Sequence, residues 1–279
     1  NWDGKIHYIT KTGQFKIGLL PKVYDMCIEM GIKPKVVDMR QPLPKVSKVV
    51  TNIGKYKLRP EQEKAVKAVI NNKIGNTPFH IGVLDYTVNA GKTLIMSSLY
   101  LSYKKQLKTL LITNDSDWLN QAREEFKQYL PGEDITFVQG KVLNWSNFTI
   151  GMVQSISRNM RFYQKELSQI DMVLIDEADQ GGSKQYQNVI TRLFNTRIRI
   201  GLSGTIYMSK LAKDRVKNMN LECFFGKVLA EFKLKDSIKK GYSTKTVVKM
   251  VPGKPWYGNW ESDCISYKEI YDDSITNCY

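Results

Sequence analysis

The run Asp85-Tyr86-Thr87-Val88-Asn89-Ala90-Gly91-Lys92-Thr93 lies between a short apolar segment and a segment with helical apolar spacing. This is the context of a phosphate-binding loop, whose backbone N–H groups and following helix N-terminus surround nucleotide phosphates. Lys92 would reach the β- and γ-phosphates, the Thr93 hydroxyl would ligate Mg²⁺, and Gly91 lets the backbone approach closely. The run therefore predicts a site for ATP and Mg²⁺.

The loop departs from the strict pattern at two positions. Tyr86 stands where the first glycine is expected, and Asn89 replaces a glycine often seen in such loops. Asn tolerates positive φ better than most residues, so the loop shape can survive. Because a Gly-Lys-Thr triplet by itself is a weak signal, the interpretation depends on a second motif.

That second motif is Met172-Val173-Leu174-Ile175-Asp176-Glu177-Ala178-Asp179. Its apolar residues form a buried strand that delivers two acids to the C-terminal edge of a parallel sheet, where open α/β folds bind ligands. Asp176 would hold Mg²⁺, and Glu177 would orient or deprotonate the attacking water. An acidic helix N-terminus is the alternative, but the combination with Lys92 favours an ATPase.

Two further segments are consistent with a nucleotide site. Ser203-Gly204-Thr205 ends another apolar strand and places small hydroxyl groups where they can sense the acid pair. Gln62 begins a helix after Tyr56-Lys57-Leu58-Arg59-Pro60-Glu61 and could bind the adenine edge through both its donor and its acceptor. Taken singly, the first would be an ordinary turn and the second a solvated polar residue.

Short apolar runs alternate with helical segments between about residues 57 and 204. The predicted strands are His80–Asp85, Leu110–Ile112, Phe148–Val153, Met172–Ile175 and Ile198–Leu202, and the predicted helices are Glu61–Asn71, Thr93–Lys105 and Asp117–Tyr129. Continuous apolar runs indicate strands buried on both faces. Strands separated by helices indicate a parallel sheet, so we expect an α/β fold with helices covering the sheet.

The first forty residues predict a small α+β element. Ile6–Thr10 alternates like a strand, Lys11–Gly13 is typical of a turn, Leu20–Met30 has helical spacing, and Lys35–Val37 could form a short strand.

Composition adds a charge argument. The 279 residues include 42 Lys and Arg against 27 Asp and Glu, a formal charge of +15 that favours a polyanionic partner such as nucleic acid. A Lys-rich solvated surface is the alternative. Basic residues concentrate in Lys33–Lys73 and Lys227–Lys254. The widely spaced cysteines, and the absence from the sequence of a signal peptide or a membrane-length apolar run, predict a cytoplasmic protein with no membrane partner.

Taken in order, four motifs resemble those of superfamily 2 helicases: Leu58–Gln62 their adenine-binding Q motif, Ala90–Thr93 motif I, Asp176–Asp179 motif II and Ser203–Thr205 motif III. The resemblance implies a RecA-like P-loop domain. It also implies that Arg59, Gln62 and the loop residues Asn89, Ala90 and Gly91 contact the nucleotide. Asp179, Ser203, Gly204 and Thr205 would couple hydrolysis to movement.

The chain is also similar to the UvsW-type helicases of tailed phages, at Asn1–Ile6, Gly18–Leu20 and Phe225–Val228. That similarity implies an ATP-driven enzyme that unwinds branched DNA, regresses forks and migrates Holliday junctions during phage recombination, repair and replication. It implies the host bacterial cytoplasm as location and other recombination or replication proteins as possible partners. DNA backbone contacts would come from three pairs of residues: Thr113 and Asn114, Gln139 and Gly140, and Gln154 and Ser155.

We expect three parts: an incomplete N-terminal DNA-binding element and connector over residues 1–50, the ATP-binding domain over 51–241, and the start of a second RecA-like domain over 242–279. Arg215 is the last arginine in the sequence, so the Arg-bearing motif VI of such helicases is missing and we expect a truncated motor. Two other functions stay open, a duplex translocase of restriction or remodelling type and a nucleotide-binding DNA clamp without turnover.

Overall fold

A computed structural model describes residues 6–140, 142–206 and 215–245 of the chain. Its strands are β1 Asn52–Ile53, β2 Tyr56–Lys57, β3 Lys73–Ile74, β4 Thr77–Pro78, β5 His80–Tyr86, β6 Thr109–Thr113, β7 Ile135–Gln139, β8 Val142–Leu143, β9 Phe148–Met152, β10 Met172–Asp176, β11 Ile198–Ser203 and β12 Val228–Phe232. Its α-helices are α1 Leu20–Glu29, α2 Pro60–Ile70, α3 Lys92–Ser102, α4 Ser116–Tyr129, α5 Val153–Arg158, α6 Gln164–Ser168, α7 Lys184–Ile190, α8 Arg215–Phe225 and α9 Leu234–Lys239, with short 3₁₀ turns at Ile17–Leu19 and Ala178–Gln180.

The central sheet has the strand order β12-β5-β11-β10-β6-β9-β7-β8. Every neighbouring pair from β12 to β7 is parallel, and β8 closes the β7 edge as a short antiparallel strand. The parallel α/β sheet that the sequence predicts is confirmed. Because β5, β11 and β10 are neighbours, the segments that follow these three strands meet at one edge of the sheet.

Helices cover both faces of the sheet. Because successive side chains of a strand point to opposite faces, neighbouring residues of one strand pack in different layers. On β10, Leu174 packs with α2, α3 and α4 on one side. Its neighbours Val173 and Ile175 pack with α5, α7 and α8 on the other. The continuous apolar runs in the sequence follow directly from this two-sided burial.

The predicted helices and strands of the central region are confirmed within a few residues, but the two N-terminal strand predictions are wrong. Ile9 makes a single bridge to Phe15 around the predicted turn. Lys35–Val37 forms no strand, although the Val36 carbonyl accepts a hydrogen bond from Thr77 Oγ1 at 3.1 Å. A few alternating residues are not enough to form a strand where no neighbouring strand offers a ladder.

The N-terminal element packs on the central sheet's helical layer. A β-carbon at Gly18 would lie 2.1 Å from the Glu222 carbonyl oxygen, so glycine is required for this close approach between the first 3₁₀ turn and α8. Lys22 Nζ also pairs with the Glu222 carboxylate at 2.5 Å.

Contacts divide the chain into one unit that ends at Ser243 and another that begins at Thr244. The division into residues 1–50, 51–241 and 242–279 stays a prediction, and most of its third part lies outside the described residues. Among the helices described, none is both long and apolar enough to cross a membrane.

Candidate nucleotide-binding site

The phosphate loop connects the end of β5 to the first turn of α3. Gly91 has φ +75° and Asn89 has φ +62°, so both lie in the left-handed region. The predicted positive φ at Asn89 is thus confirmed, and asparagine is one of the residues that tolerate it best. The α3 helix begins at Lys92, which leaves its free N–H groups at the end of the loop. Such a helix start attracts anions through its unpaired donors and its dipole.

Gln62 fastens this loop to α2. Its Oε1 accepts a hydrogen bond from the Arg59 backbone N–H at 2.8 Å, and its Nε2 donates to the Ala90 carbonyl at 2.8 Å. The side chain is buried. The amide is therefore engaged inside the protein, a role in loop position that the sequence analysis did not anticipate. Contact between Gln62 and an adenine base stays a prediction.

Arg59 lies on the outer side of the same loop. Its Nη2 donates to the Asn89 carbonyl at 3.2 Å, and its guanidinium carbon is 4.3 Å from the centroid of the Tyr242 ring. A guanidinium at this distance over an aromatic face is a cation–π contact. The Q-motif arginine therefore links the phosphate loop to the segment that follows α9.

Lys92 bridges the two motifs that define the site. Its Nζ lies 3.3 Å from Asp176 Oδ1 and 3.3 Å from Glu177 Oε1. Burial raises the pKa of both carboxyl groups, and the Lys92 charge partly opposes that rise. Lys92 therefore compensates the charge of two acids that burial would otherwise disfavour.

Asp176 and Thr93 have the chemistry that a Mg²⁺ ion at this site would need. Asp176 is 2% exposed, and its Oδ1 atom, which pairs with Lys92, accepts no hydrogen bond of good geometry within the described part of the chain. The described residues contain no group of three or more His, Cys, Asp or Glu that could hold a metal alone. Mg²⁺ commonly takes one or two protein oxygens and completes its shell with phosphates and water. The donor set fits a metal that arrives with a nucleotide.

Motif III contacts motif II directly. Ser203 Oγ donates to Asp179 Oδ1 at 2.9 Å, and it also accepts a hydrogen bond from the Thr205 backbone N–H at 3.2 Å. Gly204 lies against the phosphate loop, since a β-carbon there would be 3.1 Å from Thr87 Cα. The hydroxyl group expected to sense the acid pair contacts the third acid of that motif, Asp179.

Two buried acids of the site escaped the sequence analysis. Asp85, at the end of β5, is 4% exposed and pairs with Lys233, which follows β12. Glu61, in the first turn of α2, is 6% exposed and pairs with Lys240 Nζ at 2.8 Å. The position of Asp85 immediately before the loop in the sequence suggests a role in the site. Local spacing does not indicate that Lys233 and Lys240 pair with the two acids. Both ion pairs tie the region after β12 to the nucleotide site.

The six candidate DNA-contacting residues end up at the carboxyl edge of β6, β9 and β7. Gly140 N donates to Ser155 Oγ at 2.9 Å, and Gln154 Nε2 donates to the Asn114 carbonyl at 3.4 Å. Gln139, the last residue of β7, is partly exposed and precedes Gly140. The structure therefore brings the second and third pairs together and places the third beside the first.

This line of polar groups continues to motif II. Asn114 Nδ2 donates to the side chain of Gln180, the residue after Asp179. Thr113 is fully buried, and its hydroxyl accepts from the Asp115 N–H at 3.1 Å, so its side chain supports the start of α4. Direct DNA contact by any of these residues stays a prediction.

Together, a phosphate loop on β5, an acid pair on β10 and a serine turn on β11 form a P-loop nucleotide site of the superfamily 2 helicase type. Residues 55–208 match the family model described as "Type III restriction enzyme, res subunit". This match covers more than half of the chain, and the chain belongs to that family.

The UvsW proteins of phage T4 are similar in sequence and fold. The ATP-dependent DNA helicase uvsW of Enterobacteria phage T4 is 22% identical over 228 residues, which are 74% of this chain and 43% of that protein. A crystal structure of the UvsW helicase from bacteriophage T4 matches with a TM-score of 0.64 at 22% identity, over 84% of each chain. A second structure of T4 UvsW gives 0.62 at 22% identity, over 84% of this chain and 48% of that one. The fold is thus RecA-like, and the chain spans less than half the length of the curated relative it matches.

Proposed function

We propose that this chain supplies the first ATP-binding half of an ATP-dependent DNA helicase. The observation that carries the proposal is the position of Lys92, 3.3 Å from both Asp176 and Glu177 at the carboxyl edge of the sheet. Lys92 lies at the phosphate loop and pairs with the buried Asp176 and the partly exposed Glu177. It is therefore arranged to exchange these two acids for nucleotide phosphates. ATP is therefore the proposed substrate and Mg²⁺ the proposed metal.

Each residue of the site has a proposed task. Thr93 and Asp176 hold Mg²⁺, which neutralises charge on the phosphates when it is bound. Lys92 leaves its two carboxylates and binds the terminal phosphates. Glu177, freed from Lys92, orients the attacking water and accepts its proton; the raised pKa makes it a better base than an exposed glutamate.

The remaining site residues position the nucleotide and transmit its state. Asn89, Ala90 and Gly91 supply the loop backbone, while Arg59 and Gln62 position the loop and contact the base. The hydrogen bond from Ser203 to Asp179 supports a coupling role for motif III, here assigned to Ser203, Gly204 and Thr205.

The proposed second substrate is branched DNA. The polar line that runs from Gly140 through Ser155, Gln154 and Asn114 to Gln180 supports a backbone-binding edge continuous with the ATP site. The charge of +15 supports binding to a polyanion. Unwinding of forks and junctions in phage recombination, repair and replication, within the bacterial cytoplasm and alongside other proteins of those processes, is the finer form of this proposal.

Substitution of Lys92 by Ala in the full-length protein tests the proposal. We expect loss of DNA-stimulated ATP hydrolysis with retained, salt-sensitive DNA binding, because the lysine serves phosphates of ATP and not of DNA. Lys127→Ala, at an exposed lysine of α4, is the matched control and should hydrolyse ATP normally. Unchanged turnover in Lys92→Ala would overturn the assignment. ATP binding without turnover in the unaltered protein would favour the clamp instead.

The family match favours one second candidate, a translocase that moves on duplex DNA without separating strands. Displacement of a labelled strand from a fork, set against displacement of a triplex-forming oligonucleotide from an intact duplex, distinguishes the two. A helicase releases the fork strand; a duplex translocase releases only the triplex strand.

A further inference from the structure

A cavity of about 260 Å³ opens at the amino end of β11, away from the phosphate loop. It lies between the N-terminal element, α7 and α8. Its lining includes Lys16, Arg40, Arg199 and Phe224. Its described lining therefore includes three cationic side chains and no acid.

Arg199 is the buried cation of this cavity. The residue is 7% exposed, and its Nη1 donates to the Phe224 carbonyl at 3.2 Å. Its Nε is fully buried and has no hydrogen-bond partner among the described residues. Burial, and then the charge of Arg40, lower the pKa of Arg199 to about 10. The guanidinium thus stays protonated at neutral pH, and among the described residues no carboxylate forms an ion pair with this buried charge.

The nearby carboxylate is already shared by two other arginines. Asp38 accepts from Arg40 Nε at 2.9 Å and from Arg40 Nη2 at 2.7 Å, and Arg197 Nε lies 3.3 Å from Asp38 Oδ2. The single negative charge of Asp38 is therefore shared by Arg40 and Arg197, and it does not compensate the positive charge of Arg199. A buried charge lowers the stability of the folded protein unless an opposite charge pairs with it. The arrangement therefore points to an anion that binds beside Arg199.

We propose that this cavity binds a phosphate group through Arg199, with Lys16 at its exposed side. A guanidinium offers a planar set of N–H donors that matches the oxygens of phosphate. Arg199 and Lys16 form no ion pair with an acid of the described residues, and two positive charges suit the charge of a phosphate better than that of a carboxylate. The phosphate is either free inorganic phosphate or a phosphodiester of DNA that crosses the N-terminal element. The second source rests on the proposed function; the first does not.

This site is separate from the ATP site. Arg199 and Ser203 lie on the same strand, and a rise of roughly 3.3 Å per residue puts them about 13 Å apart along it. The proposed anion site and the nucleotide site therefore lie near opposite ends of β11, and an anion at one end does not require a nucleotide at the other.

Inorganic phosphate tests the site independently of enzymatic activity. Because a phosphate loop also binds phosphate, the measurement uses the Lys92→Ala background, with ionic strength held constant by chloride. We compare thermal unfolding of Arg199→Met with that of Arg192→Met, the same change at an exposed arginine nearby. Phosphate at several times its Kd should raise the Tm of the Arg192→Met protein by about 2–4 °C and leave that of Arg199→Met unchanged. An equal rise in both proteins, or no rise in either, overturns the proposal.

A second variant decides the question if Arg199→Met fails to fold. Lys16 is exposed, so Lys16→Met should fold with an unchanged Tm in the absence of phosphate. Its Kd for phosphate should be several-fold weaker than that of the background protein. A full phosphate response in Lys16→Met then overturns the proposal.

DNA binding at increasing salt identifies the source of the phosphate. If the site holds a phosphodiester, Arg199→Met should reduce the slope of log Kd against log salt concentration by about 1 relative to Arg192→Met. An unchanged slope together with a lost phosphate response supports free phosphate as the ligand. Failure of the helicase proposal would appear as absent ATP hydrolysis with Lys92 intact, which leaves the phosphate measurement unaffected.

Discussion

A β-carbon on Gly91 would lie 2.3 Å from the Nε2 atom of Gln62, the atom that donates to the Ala90 carbonyl. A side chain at this position is therefore disfavoured by the left-handed φ of +75° and would also displace the Gln62 amide. The Q motif and motif I are one packed unit, and a change in either is transmitted to the other.

Substitution of Gly91 by Ala should consequently destabilise the protein and abolish ATP binding. The left-handed backbone alone costs roughly 1–2 kcal/mol for a residue with a β-carbon. Displacement of Gln62 additionally releases the loop. Gly13→Ala is the matched control, because Gly13 has φ +78° and open space around it. Chemical denaturation and nucleotide titration of both variants test the prediction. Gly13→Ala should lose stability but keep its affinity for ATP. Normal ATP affinity in Gly91→Ala would contradict the prediction.

Substitution of Gln62 by Ala should weaken ATP binding by about fivefold, since one hydrogen bond to the loop contributes roughly 1 kcal/mol and 1.4 kcal/mol is a factor of ten. Titration with ATP and with GTP separates two contributions. An equal loss for both nucleotides assigns the effect to the Ala90 hydrogen bond. A larger loss for ATP adds a contact with the adenine base. Unaltered affinity for both would show that neither contact matters.

Substitution of Glu177 by Gln should preserve ATP binding and lower kcat by about 10²–10⁴, the usual contribution of a general base. It should also alter stability with pH. Burial, only partly opposed by Lys92, raises the pKa of Glu177, so the ionised side chain disfavours the folded state. Wild-type stability should therefore fall, relative to the variant, as pH rises through that pKa. Thermal unfolding between pH 4 and pH 8 measures the difference, and a variant that loses stability relative to wild type as pH rises would refute the assignment.

Substitution of Ser203 by Ala should separate ATP hydrolysis from DNA unwinding. The change removes the 2.9 Å hydrogen bond to Asp179 but leaves Lys92 and the acid pair in place. We expect ATPase activity within a few-fold of wild type and strand displacement reduced by tenfold or more. Ser168→Ala, which removes an exposed hydroxyl bonded to Lys165, should alter neither rate. Proportionate loss of both activities in Ser203→Ala would argue against a coupling role.

The sequence predicted those parts of the fold in which local chemistry and tertiary position agree. Strands β5, β6, β9, β10 and β11 are buried on both faces, so each is a continuous apolar run. Strands β7 and β12 were missed. The exposed Glu231 interrupts the apolar pattern of β12, which lies at the edge of the sheet.

Long-range partners account for the other omissions. Lys233 reaches Asp85 and Lys240 reaches Glu61 only because β12 pairs with β5, far earlier in the sequence. Local spacing contains no information about that pairing. The same limit explains Gln62, whose amide was expected to face a base and instead holds the Ala90 carbonyl.

The position of β12 also affects which crossover points between related genes leave the ATP site intact. The family match ends at residue 208, yet β12 follows that point and pairs in parallel with β5, the strand that carries the phosphate loop. In a chimaeric protein joined at the end of the match, β12 and Lys233 would come from the other parent, while β5 and the buried Asp85 would not. Homologous recombination between related genes would preserve a working ATP site more often with crossovers beyond Ser243 than with crossovers just after motif III.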